Sequence, residues 1–147
     1  PCKVGVESTI INCTQVKPSI LRPGAVTKEM IEDTLGITID LDTSNSESIQ
    51  IKAAGLLESH YAPNAKVFLT GTPTLGDGFI ALGAVATPAG AVRIAAPETN
   101  EEFAQVLYEA FRLADIKGLR KVFVVPPTGD GIAVAINDRL AKSAFEK

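Results

Sequence analysis

Thr99-Asn100-Glu101-Glu102-Phe103-Ala104-Gln105-Val106-Leu107-Tyr108-Glu109-Ala110-Phe111-Arg112-Leu113-Ala114-Asp115-Ile116-Lys117-Gly118, followed closely by Val122-Phe123-Val124-Val125, decides the fold. Thr99 and Glu102 stand at the spacing of a capping box, which opens a helix by satisfying its first backbone donors. Phe103, Leu107, Ala110, Phe111 and Ala114 recur with helical periodicity and form one apolar face. Gly118 ends the helix. The unbroken apolar, β-branched run Val122–Val125 reads as a strand covered on both faces, as in a parallel sheet. Pro126-Pro127 stops it, and Gly131 to Phe145 reads as a second helix with Ile132, Ile136 and Leu140 inward.

Working upstream, Lys66–Leu69, Gly78–Leu82 and Ala91–Ile94 read as further strands, so 65–147 alternates between β and α elements. The segment Asp40–Ser48 turns to Asp, Thr, Ser, Asn and Glu and reads as a solvated connector. Before it, residues 3–13 read as a strand, Ser19–Leu21 as a second, and Thr27 as the cap of a short helix through Leu35 with Gly36 as its stop. Ile37-Thr38-Ile39 resumes extended structure. The expected fold class is α/β: a Rossmann-like domain with a mainly parallel sheet, preceded by a few strands and a connector.

At 46% apolar residues the chain can bury a core, and with 5% aromatics and no Trp that core must be aliphatic. A net charge of −3 argues against direct nucleic-acid binding through a broad basic face. Its apolar runs are too short to cross a bilayer, so no membrane partner and a cytoplasmic location are expected. Two cysteines, Cys2 and Cys13, and one histidine, His60, cannot build a thiolate or imidazole metal cage, and the cysteines read as small buried hydrophobes.

Gly71-Thr72-Pro73-Thr74-Leu75-Gly76 has the glycine spacing of a phosphate loop, but Asp77-Gly78 replaces the required Lys and hydroxyl residue, so it reads as a surface turn. Asp130 reads as the N-cap of the last helix. Asn137-Asp138-Arg139 reads as a solvated face or an interface contact. Arg22, between Leu21 and the Pro23-Gly24 turn, suits an anion, with a salt bridge to Glu7 or Asp33 as the alternative. Ser8 and Thr9 offer hydroxyls beside it. Ser59-His60-Tyr61-Ala62-Pro63 is a stiffened stretch able to close over a ligand.

Taken in order, Val4-Gly5-Val6-Glu7-Ser8-Thr9-Ile10 and Ile20-Leu21-Arg22-Pro23-Gly24-Ala25-Val26-Thr27 resemble the last strands of the YrdC-like catalytic domain. Ser59–Pro63 resembles the connector of two-domain threonylcarbamoyl-adenylate synthases, and Gly131–Leu140 the end of their C-terminal domain. The resemblance implies residues 1–39 as the tail of a catalytic domain, 40–64 as connector and lid, and 65–147 as the C-terminal domain. It implies a nucleotidyltransferase that condenses L-threonine, bicarbonate and ATP, with Mg2+ in the intact enzyme, and tRNA-modification proteins downstream. Ser8 would contact threonine; Arg22, Tyr61 and His60 would bind ATP. The fragment alone would be inactive. The competing expectation is an autonomous α/β module that holds a small ligand or a protein at its strand ends.

Overall fold

The computed structural model describes residues 4–42 and 62–144. Its larger unit is a four-stranded sheet formed by β4 (Lys66–Phe68), β5 (Gly78–Ile80), β6 (Val92–Ala95) and β7 (Lys121–Val124). The strand order is β4-β7-β5-β6, and every pairing is parallel. Only the β6-to-β7 crossover carries a helix, α2 (Asn100–Ile116); α3 (Ile132–Ser143) follows β7. Thr99 Oγ1 accepts from the Glu102 amide at 3.1 Å, and the Glu102 carboxylate accepts from the Glu98 amide at 2.8 Å, so the expected box closes one residue early. Asp130 is not the cap of α3. That position belongs to Gly131, which brings no side-chain cap.

Alternation along the strands gives the sheet two different faces. Val67, Val122, Val124 and Ile80 point into a core closed by Phe103, Leu107 and Phe111 of α2 and Ile136 and Leu140 of α3. On the other face Phe68, Phe123, Phe79 and Arg93 stand in register across all four strands. Phe68 and Phe123 stack with centroids 5.0 Å apart, and the Arg93 guanidinium lies 5.2 Å from the Phe79 centroid. Arg93 also donates to the carbonyls of Ala81, Leu82, Val85 and Ala95. One side chain thus satisfies three carbonyls of the helix-free loop between β5 and β6.

The smaller unit is a three-stranded sheet of β1 (Ile10–Asn12), β2 (Ser19–Arg22) and β3 (Asp40–Leu41), with α1 (Lys28–Leu35) crossing between the parallel pair β2 and β3. Thr27 caps α1, and Gly36 ends it in the left-handed region at φ 65°, as its sequence requires. Ile20, Ile31 and Ile39 form its own small core. The strand expected over 3–13 is confined to Ile10–Asn12. Gly5 has φ 77°, which takes the chain out of the β region and lets it lie directly on the backbone of α2 at Ala104 and Gln105. Val6 then enters the core of the larger unit. Cys13 is exposed, not buried, because the chain turns just after β1; Cys2 lies outside the described residues.

Candidate functional site

The structure brings Ser8 and Arg22 together. Arg22, at the end of β2, is 5% exposed, and its Nε and Nη2 donate to the Ser8 carbonyl at 3.2 and 2.9 Å. The Ser8 residue itself is exposed. Behind Arg22 the chain turns at Pro23-Gly24, and Gly24 lies so close to the backbone of residues 7–9 that an added Cβ would sit 2.3 Å from the Glu7 carbonyl oxygen. Only glycine permits that approach. The Thr9 hydroxyl is spent on the Val26 carbonyl, which fixes the two segments side by side.

Glu7, one expected partner of Arg22, is held by the larger unit. Arg139 Nε of α3 donates to Glu7 Oε2 at 2.7 Å, and the Tyr108 hydroxyl of α2 donates to Oε1 at 3.0 Å. Arg139 Nη2 also donates to the Pro23 carbonyl at 3.1 Å, and Nη1 meets the Asp138 carboxylate, which Lys142 Nζ shares at 2.8 Å. The group holds two carboxylates and two cations, so the buried Arg139 charge is balanced. Burial pushes the Glu7 carboxyl upward, but the Arg139 hydrogen bond and charge, its own backbone and the Tyr108 hydroxyl together hold it below the usual glutamate value. Burial, then the Glu7 charge, pushes the Tyr108 phenol well above its ordinary range. That phenol is therefore a fixed donor. Of Asn137-Asp138-Arg139, Arg139 makes the contact between the units, while Asn137 donates to the Pro127 carbonyl and Asp138 pairs with Arg139 and Lys142 on its own helix.

His60 and Tyr61 lie outside the described residues. The Gly71–Gly76 turn is closed by Asp77, whose carboxylate accepts from the Thr74 amide and hydroxyl at 2.8 Å each. No anion site is formed by that carboxylate. A cavity of about 440 Å³ lies elsewhere, along the β4 edge between Ala62–Thr70 and Ser143-Ala144. It is more apolar than polar and holds neither Ser8 nor Arg22. Among the described residues no group of three or more His, Cys, Asp or Glu could hold a metal ion, so the residues present offer no cage for Mg2+. Among them, too, no helix is long and apolar enough to cross a membrane.

Fold and site together define a class: a Rossmann-like α/β unit whose two helices grip a separate strand–turn–strand segment. Residues 26–145 match the family described as threonylcarbamoyl-AMP synthase, C-terminal domain. The threonylcarbamoyl-AMP synthases of Bacillus subtilis (strain 168) and Pyrococcus abyssi are each 30% identical, over 98% and 97% of this chain and 46% of their own lengths. The crystal structure of P. abyssi Sua5 complexed with L-threonine superimposes with a TM-score of 0.77 at 28% identity, over 97% of this chain and 46% of that one. A structure of the same protein with an adjacent histidine and tyrosine changed to alanine gives 0.74 at 26%, with the same coverage. The chain belongs to the threonylcarbamoyl-AMP synthase family and spans about half the length of the relatives it matches.

The Glu7–Arg139–Tyr108 cluster escaped sequence reasoning. A signal was present: Arg139 falls three residues after Ile136 and next to Leu140, on the inward stripe of its helix. A charge on that stripe requires a buried partner from elsewhere in the chain.

Proposed function

We propose that this chain carries the C-terminal part of a threonylcarbamoyl-AMP synthase, in which L-threonine, bicarbonate and ATP are condensed to threonylcarbamoyl-adenylate and pyrophosphate. Residues 1–39 form the tail of a YrdC-like catalytic domain, with Asp40–Leu41 completing its small sheet beside β2, the rest of 40–64 form the connector and lid, and 65–147 the C-terminal domain. The observation that carries this reading is the Ser8–Arg22 contact, in a chain whose relative of known structure was solved with L-threonine. We read the exposed Ser8, and the Arg22 guanidinium anchored on its carbonyl, as neighbouring holds for an amino acid and a phosphate. In the reaction a carbamate oxygen attacks the α-phosphorus, the new O–P bond forms, and pyrophosphate leaves with the electron pair of the broken bond. No protein nucleophile is needed. The protein's tasks are to position the reactants, balance phosphate charge and exclude water.

Tyr61 and His60 close on the nucleotide from the connector. The adjacent histidine and tyrosine altered in the P. abyssi relative support attention to this pair. The remaining ATP and threonine contacts come from the half of the relatives that this chain does not span, so the chain alone is inactive. The product passes to cytoplasmic tRNA-modification enzymes. The test is Arg22→Ala in the full-length protein, read as threonine-dependent pyrophosphate release from ATP. Loss of about 100-fold in kcat/KM is expected for a misplaced or missing phosphate ligand; unchanged turnover overturns the assignment.

A further inference from the structure

One guanidinium in the C-terminal unit reaches the neighbours of both proposed substrate residues. Arg139 holds Glu7, the residue before Ser8, at 2.7 Å, and the carbonyl of Pro23, the residue after Arg22, at 3.1 Å. Arg139 is 3% exposed, so its fork is packed into one geometry. Tyr108 adds a second hold on Glu7 at 3.0 Å from a different helix. Gly5, two residues earlier, rests on the α2 backbone, and Gly24 closes the turn against residues 7–9. Every step from α3 to the Ser8–Arg22 contact is therefore a short polar bond or a backbone-to-backbone contact.

We infer that Arg139, with Tyr108, is a positioning residue for the substrate site: it sets the separation and orientation of Ser8 and Arg22, so the C-terminal domain shapes the site without touching substrate. The inference rests on the reading that assigns Ser8 and Arg22 to threonine and phosphate. Its physical basis is the two-pronged fork. A lysine at the same place keeps one charge and one hold but cannot grip Glu7 and the Pro23 carbonyl in the same planar geometry. A group that acts by geometry shows itself in substrate affinity and rate per folded molecule, because small displacements at a reacting site are costly.

The experiment uses the full-length protein with Arg139→Lys, Arg139→Gln and Tyr108→Phe. Two quantities are measured: KM and kcat per folded molecule for ATP and threonine, and amide hydrogen exchange at residues 6–9 and 20–24. For Arg139→Lys we expect KM for both substrates to rise about tenfold, with exchange at 6–9 and 20–24 accelerated about tenfold and that of residues 103–114 in α2 unchanged. Arg139→Gln shows a larger change than Arg139→Lys, so lysine is a partial rescue. Tyr108→Phe keeps the ring and gives the same pattern with smaller amplitude; it carries the test if the Arg139 variants fail to fold. Activity that falls only with the folded fraction, at wild-type KM, overturns the inference, as does unchanged exchange at residues 6–9. If Arg22→Ala retains full activity, the substrate assignment fails. Accelerated exchange in Arg139→Lys with unchanged kinetics likewise leaves a structural hold and overturns positioning of the site.

Discussion

Adding one methyl group at Gly5 tests how the two units are joined. The residue has φ 77°, a conformation that costs an alanine about 1–2 kcal/mol. Its new Cβ would also sit 2.2 Å from the Ala104 carbonyl oxygen and 2.2 Å from the Gln105 Cα, both backbone atoms of α2. Ordinary contact lies more than about 1 Å farther out, so either residues 4–9 or the helix must move. Overpacking of this kind costs about 1–3 kcal/mol. Gly36 provides the control: it has φ 65° but no atom within 4 Å of its added Cβ, so Gly36→Ala carries the backbone cost alone. Urea denaturation of the two variants should place Gly5→Ala below Gly36→Ala by about 1–3 kcal/mol. Amide exchange should also show residues 6–9 released from the larger unit in Gly5→Ala. Equal stability of the two variants would refute the close backbone contact on which the joining argument depends.

Two further outcomes are expected. Glu7 has its carboxyl held below the 4.5 of an unhindered glutamate, so the unfolded chain binds its proton first. Stability from this group is present above about pH 4.5 and is lost as pH falls through the lowered folded value; Glu7→Gln should flatten the fall of stability with acid in that window, and an identical slope would contradict it. Thr99→Ala removes the acceptor for the Glu102 amide and should cost about 1 kcal/mol in urea denaturation, with no change expected in exchange at residues 6–9.

The larger unit was legible because its signals are local and agree with one another. The Thr99 cap, the Phe103–Ala114 stripe and the Val122–Val125 run each specify one element, and the parallel arrangement follows from the continuous apolar strands. The start of the chain was less legible. Val4-Gly5-Val6 has strand composition, yet a glycine at positive φ and a long-range backbone contact override it, and neither leaves a local mark. Asp130 looks like a helix cap by residue type, yet Gly131 takes that position and brings no side-chain cap. Of the candidate site, Arg22 and Ser8 are readable as candidates from residue type beside a tight turn, and the structure places the Arg22 guanidinium on the Ser8 backbone carbonyl. Their support was not found, because Glu7 and Arg139 become partners only when opposite ends of the chain meet.

That meeting has a consequence for biosynthesis. The Glu7 and Arg139 side chains are separated by 132 positions. At a ribosomal pace of about 5–20 residues per second, Glu7 is made on the order of ten seconds before the cation that will neutralise it. Until α2 has been made, Val6 lacks its eventual neighbours on that helix and the Gly5 bend has no surface to rest on. The Glu7 segment therefore stays unclasped even after α2 has appeared, and the clasp closes only when α3 has left the exit tunnel.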